Sequence, residues 1–358
     1  MNRSYFRVDL SLLIPAVVLV ILGISGIFSL NFDLFKLQIV FFFASILIFF
    51  FFSQVNYQNI KNLSIPIYII SIILLAVVLF VGTESRGSVR WIGFFGRGIQ
   101  FSEILKPFLA LALASFLAHK ENYSVKNFLT ILLLILPIFI LIFLQPDLGN
   151  ALIYFFTAIL VLFSFGFPIR YLLTLFVLGA VSMPVFWQFL RTYQKQRVLT
   201  FLQLKVDPLG SSYNAIQSVI AVGSGMILGK GFGQGTQSIL RFLPERHTDF
   251  IFATLSEELG LVGSVLIIST FSFLLYRILI ISKKTNDSFI KIFSMSVFFL
   301  IAVQFFVNAG MNIGIVPIVG VSLPFVSYGG SSLVANFILL GFLSSMSKDV
   351  RKDTLEIK

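Results

Sequence analysis

Apolar side chains run almost unbroken through ten stretches of the chain, at about 9–30, 34–53, 63–82, 101–118, 126–144, 148–167, 169–190, 257–281, 289–312 and 324–346. Short polar breaks separate most of them, and one long polar segment, 191–248, lies between the seventh and the eighth. About twenty apolar residues at helical rise cover the hydrocarbon thickness of a bilayer. Inside lipid the backbone must satisfy its own hydrogen bonds, which favours helices over open sheets. The pattern predicts an all-α, polytopic integral membrane protein of about ten transmembrane helices. It reads as one domain over 1–358, with 191–248 as its single large loop and no internal repeat.

Composition agrees and narrows the chemistry. Of 358 residues, 58% are hydrophobic and 11% charged, too apolar for a soluble domain. With no cysteine, disulfide, thiolate and iron–sulfur chemistry is excluded, and two histidines make a structural zinc site a poor expectation. The net charge of +11 does not call for nucleic acid, because the positive-inside rule and anionic headgroups account for basic residues in a membrane protein. The first apolar stretch follows MNRSYFRVDL without a small-residue cleavage site and is expected to be a retained helix.

Charge also sets the orientation. With the N-terminus inside, the inner segments hold Arg3, Arg7, Lys61, Lys120, Lys126, Arg170, Arg277, Lys283, Lys284, Lys291, Lys348, Arg351, Lys352 and Lys358, whereas the outer turns 145–147 and 313–323 hold no lysine or arginine. Both termini are therefore expected in the cytoplasm. Two outer loops break the rule. Residues 83–100 carry Arg86, Arg90 and Arg97, and 191–248 carries Arg191, Lys195, Arg197, Lys205, Lys230, Arg241 and Arg246. A long loop is exported whatever its charge, but a short one is not, so an anion site on the outer face is the favoured reading. Arg90, beside Trp91, is the first candidate for a phosphate clamp and Arg197 the second, because a guanidinium grips phosphate bidentately.

The stretch Leu243–Gly263, LPERHTDFIFATLSEELGLVG, concentrates ionisable residues at the mouth of a span. A charge at the bilayer centre costs roughly 2.5–3.5 kcal/mol on insertion scales, so these residues need a reason. Asp249 is expected one to three turns outside the hydrocarbon. In a continuous helix Glu257 would lie about 12 Å further along, and Glu257 and Glu258 would point about 100° apart. A paired-carboxylate hydrolase is therefore a poor reading. Asp249 flanked by Arg246 and His247 suits a single general base with cationic neighbours. For His247 an interfacial hydrogen-bonding role is the plainer reading, and for Arg246 phosphate binding or pairing with a carboxylate.

Three further motifs bring polar groups to the membrane. In SEILKP, Glu103 and Lys106 share a helix face, and a structural ion pair and a part in binding stand level. In QPDLG, Asp147 is expected chiefly to cap the following helix. In NIGIVPIVGVSLPFVSYGGSS, residues 312–332, prolines and glycines forbid one clean helix, and Ser327, Tyr328, Ser331 and Ser332 supply uncharged donors to a cavity or, equally, small-residue helix packing. The run GSGMILGKGFGQG lacks phosphate-loop spacing and reads as a turn, while 212–222 reads as a short interfacial helix.

Taken together, RGSVRWIGF, QFSEILKP, QPDLG, YQKQRVLTFL, LPERHTDFIFATLSEELGLVG and NIGIVPIVGVSLPFVSYGGSS resemble the SEDS proteins (shape, elongation, division and sporulation), nearer to the elongation branch than to the division branch. The resemblance runs over nearly all ten spans in order. It departs at QLKVDPLGSSYN, 203–214, with no evident consequence for chemistry. It implies a peptidoglycan glycosyltransferase that polymerises lipid II into glycan strands on the outer face of the bacterial cytoplasmic membrane, partnered by a class B penicillin-binding protein. It further implies that Asp249 is the essential aspartate, that Glu103 and Lys106 are a functionally important pair, that Asp147 matters, and that a divalent cation, Mg²⁺ or Mn²⁺, assists the leaving group. No ligand spacing in the sequence locates such a cation. A lipid II flippase and a non-enzymatic scaffold for the penicillin-binding protein are the competing readings.

Overall fold

The computed structural model describes residues 8–85, 88–94, 97–118, 124–202 and 212–356. Arg3, Arg7, Arg86, Lys120, Lys205 and Lys358, with the divergent segment 203–211, lie outside the described residues, as do the side chains of Arg97, Arg351 and Lys352.

Ten helical stretches follow the predicted spans. They are α1 (Leu10–Leu30), α2 (Phe32–Gln54), α3 (Tyr57–Val81), the broken pair α4 (Phe101–Ile104) and α5 (Lys106–Ala118), α6 (Val125–Leu144), α7 (Leu148–Ser164), α8 (Ile169–Phe189), then α12 (Ile251–Lys284), α13 (Ser288–Asn312) and α14 (Gly330–Glu356). Between α8 and α12 lie α9 (Thr192–Phe201), α10 (Tyr213–Ser224) and the single turn α11 (Thr236–Ile239). The helix expected at 212–222 is present as α10. Antiparallel neighbours joined by short turns put the sites of interest at one end of the bundle, with α9–α11. Central α13 packs on α5, α7, α10 and α12, and α14 packs on α2. Peripheral α8 fully buries none of its side chains within the chain and touches the core mainly through Tyr171 and Leu172 near its start.

Three departures from the sequence reading bear on the site. Residues 83–100 are not a plain loop but an antiparallel sheet, β1 (Thr83–Ser85), β2 (Ser88–Phe94) and β3 (Arg97–Gln100), in the order β1-β2-β3. β-branched and aromatic residues favour it, but strands this short leave little periodicity to read. The tenth span begins at Gly330 rather than 324, because Pro324 and a left-handed Phe325 (φ 64°) keep 316–329 irregular.

The third departure is in the eighth span. It starts at Ile251 rather than 257 and breaks at Gly260 (φ 68°, ψ −158°). The break frees backbone groups, and the glycine-rich loop takes them up. Leu261 N donates to Met226 O (2.8 Å) and Val262 N to Ile227 O (3.2 Å), while Lys230 N and Gly231 N donate to Glu257 O (3.0 Å) and Glu258 O (3.1 Å). Only glycine permits this approach at 229, where φ is 82° and a Cβ would stand 2.1 Å from Glu258 O. The two buried glutamates diverge as their spacing predicted. Glu257 accepts from Lys230 Nζ (2.9 Å), Gln237 N (2.9 Å) and Ser238 Oγ (2.6 Å), whereas Glu258 accepts from Ser29 Oγ (2.6 Å) and Gly233 N (3.3 Å). Both carboxylates hold the loop in place.

Candidate active site

Four elements converge at the loop end of the bundle: the turn before α12, the irregular segment 313–329, α9, and the sheet with the α6–α7 turn. Asp249 lies in the first of these, half-buried, one residue ahead of the N-cap Phe250. Its carboxylate faces Gly320. A Cβ at 320 would stand 3.3 Å from Asp249 Oδ2 and 3.7 Å from Arg197 Nη1, so the carboxylate and the guanidinium meet over this glycine, whose φ of 73° suits a residue without a side chain.

Arg197 reaches that point from α9, which is tied down at Tyr193. The phenol donates to Pro146 O (3.0 Å) in the α6–α7 turn, and the Arg197 guanidinium stands over its ring (5.4 Å). Burial lowers the Arg197 pKa below the usual arginine value. The charges of Asp249 and Tyr193 raise it again, and nearby Arg90 lowers it further.

Arg90 projects from β2 onto Asp147, with Nη1 3.3 Å from Oδ1. Asp147 was expected mainly to cap α7, but that contact is long (Asn150 N, 3.4 Å). Shorter bonds reach its other oxygen from Gln100 Nε2 (2.8 Å), Asn150 Nδ2 (2.9 Å) and Ser102 Oγ (3.0 Å). Asp147 is therefore the hub of a buried network as well as a cap. The Nε of Arg90 is buried without a partner.

Behind this hub lies the Glu103–Lys106 pair, 2.7 Å apart and fully buried where α4 breaks into α5. It is a close ion contact rather than a well-directed hydrogen bond, and Glu103 Oε2 has no partner. Tyr154 connects pair and hub. Its hydroxyl donates to Ser102 O (2.7 Å) and lies within electrostatic reach of both Glu103 and Asp147.

The remaining candidates have other occupations. Ser327 is buried with its hydroxyl fully used, donating to Thr248 O (2.6 Å) and accepting from Leu323 N (2.7 Å). It fastens segment 313–329 to the Asp249 turn instead of offering a free donor to a cavity. His247 does the same through its carbonyl, which accepts from Tyr328 N (2.8 Å), with the two rings edge to face at 5.7 Å. Arg246 stands next to Arg241. Burial first and then that neighbour lower its pKa, and its Nε is buried without a partner.

Sequence reasoning missed Gln100, Ser102, Asn150, Tyr154, Tyr193, Asn308 and Asn312. For Asn150, Asn308 and Asn312 a signal existed: an amide inside an apolar span needs a partner or a task. Among the described residues no three acidic or histidine side chains gather into a metal cage, and Arg90 and Arg197 face the two nearest carboxylates. The residues present do not fit a protein-held divalent cation. An apolar groove of about 590 Å³ runs between α7 and α13, and Gly149, Pro317 and Val319 line its end nearest this cluster.

Fold and site together define a polytopic α-helical membrane protein with two carboxylates and two guanidinium groups gathered at one end of the bundle. The chain belongs to the FtsW, RodA and SpoVE family of cell cycle proteins, the SEDS proteins, whose family model matches residues 3–352. It is 43% identical over 283 residues to the peptidoglycan glycosyltransferase MrdB of Escherichia coli K12, covering 78% of this chain and 76% of that protein. It is 34% identical over 356 residues to the stage V sporulation protein E of Bacillus subtilis 168, covering 95% and 97%. Among solved structures it is similar to the rod shape determining protein RodA of Thermus thermophilus (TM-score 0.73, 28% identity, 96% of this chain and 98% of that one). It is also similar to a chain of a peptidoglycan synthase complex that coordinates polymerization and crosslinking (TM-score 0.85, 31% identity, 98% and 100%).

Proposed function

We infer that this chain is a peptidoglycan glycosyltransferase that polymerises lipid II at the outer face of the bacterial cytoplasmic membrane during cell elongation. Asp249 acts as general base. The observation that carries this reading is the meeting of Asp249 and Arg197 over Gly320, with Arg90 close by, at the mouth of α12. The names of the relatives support it.

In the reaction the acceptor's sugar hydroxyl attacks the donor's anomeric carbon. A new glycosidic C–O bond forms, the bond from that carbon to the lipid pyrophosphate breaks, and the hydroxyl proton passes to Asp249. Arg197 and Arg90 stabilise the charge that grows on the departing pyrophosphate. The apolar groove fits the lipid part of such a substrate. A class B penicillin-binding protein is the expected partner, in keeping with the similarity to a complex that couples polymerization to crosslinking. Both termini face the cytoplasm in this orientation. The test is purified protein with labelled lipid II, with and without that partner. Glycan strands support the reading, and lipid II moved or bound but never polymerised favours a flippase or a scaffold.

Arg90 gives a separate prediction. Arg90→Lys keeps a cation beside Asp147 but loses the planar fork, so stability should hold while apparent lipid II affinity falls about tenfold, with a larger loss for Arg90→Ala. Raised salt should weaken wild-type binding only modestly, because the site is partly buried. Titrating the three proteins with lipid II at low and high salt checks this, and equal affinities would leave Arg90 a structural partner of Asp147 alone.

A further inference from the structure

Asn308 and Asn312 lie one turn apart on α13, and both side chains are fully buried. In a regular helix each N–H donates to the carbonyl four residues earlier. In α12 the bond Thr254 N to Phe250 O (3.0 Å) opens that ladder at the N-cap, and the N–H of Ala253, one of those a helix start leaves without an intrahelical partner, donates to Asn312 Oδ1 (3.2 Å). Asn312 Nδ2 then donates to Asp249 O (3.1 Å) and to Asn308 O (2.7 Å). One side-chain amide thus caps the start of α12 and holds the Asp249 carbonyl just ahead of it. Phe250, at the N-cap, has no side-chain acceptor to do this itself.

Asn308 adds the second tie. One hydrogen of its Nδ2 goes to Asp249 O (2.9 Å) and the other to Val321 O (2.7 Å). Val321 follows Gly320, the residue over which the Asp249 carboxylate and Arg197 meet. A single amide group therefore fixes two walls of the site relative to each other, the turn bearing Asp249 and the segment bearing Gly320. If α12 needed only a cap, a local Ser or Asp at position 250 would suffice, without two amides buried in an apolar span.

We propose that Asn308 and Asn312 are positioning residues that set the Asp249 carboxylate against Arg197 and the Gly320 wall. This rests on the reading of Asp249 as general base. A reacting group displaced by about 1 Å can lose a hundredfold in rate while binding is little changed, so the expected signature lies in kcat rather than KM.

The experiment uses the full chain in complex with its transpeptidase partner, labelled lipid II, and the variants Asn308→Ala, Asn312→Ala, Asn312→Asp and Asp249→Asn. The alanine variants should lose roughly ten- to hundredfold in kcat, with KM within about threefold of wild type. Asn312→Asp is close to isosteric and guards against misfolding. Its protonated carboxyl can donate to Asp249 O and accept from Ala253 N, while the carboxylate can only accept. Its activity relative to wild type should therefore rise as pH falls. Wild-type kcat in the alanine variants, or a pH-independent ratio for Asn312→Asp, overturns the inference. Should Asp249→Asn polymerise at the wild-type rate, the general-base reading fails. Should it be inactive while Asn308→Ala is fully active, only the positioning inference fails.

Discussion

Asp249→Asn is expected to abolish glycan polymerisation while leaving the fold, lipid II binding and partner binding nearly intact. The change is isosteric, and the backbone contacts of residue 249, which accept from Asn308 and Asn312, do not involve its side chain. What is lost is a basic oxygen beside Arg197. General-base assistance contributes typically 10²–10⁴-fold, so the rate should fall by about that factor, equivalent to ~2.7–5.5 kcal/mol of barrier. The measurement is single-turnover polymerisation of labelled lipid II by the purified complex, alongside lipid II titration and co-purification of the partner. A scaffold would tolerate the substitution, because its task is finished once the partner is bound. Wild-type polymer from Asp249→Asn protein would remove Asp249 as the base.

The buried Glu103–Lys106 pair gives the second large effect. Removing one member of a buried ion pair leaves a lone charge in a medium that solvates it poorly, at a cost of about 3–5 kcal/mol. Glu103→Gln and Lys106→Met should each lower the thermal stability of the detergent-solubilised protein sharply. The double variant should recover much of that loss, giving a coupling of about 1–3 kcal/mol in a double-mutant cycle. Purely additive losses would show that the 2.7 Å contact is not an energetic pair. Activity then separates the two roles. A double variant that is stable but inactive places Glu103 and Lys106 in substrate binding, through Tyr154 and the Asp147 hub. One that is stable and active leaves them a staple between α4 and α5.

Sequence alone determined the membrane class, the ten helices in order and the loop 191–248, because lipid leaves the backbone few options and apolar length reports a span directly. It also singled out Asp249, Arg90 and Arg197, since an ionisable group or a basic short loop beside a span is costly enough to stand out in one dimension. The small sheet at 83–100 escaped it, because strands of three to seven residues carry almost no period. So did the helical turns from Ile251 to Gly260. Glu257 and Glu258 make that stretch look polar, and only the glycine-rich loop lying against it shows how their charges and the broken backbone are satisfied. Ser327 looked like a free donor for the same reason: the two bonds that consume its hydroxyl come from Thr248 and Leu323, and the first lies 79 residues away. Asn308 and Asn312 are separated from Asp249 by the whole length of α12. Their hold on it depends on α13 packing beside α12, a pairing that tertiary structure alone decides.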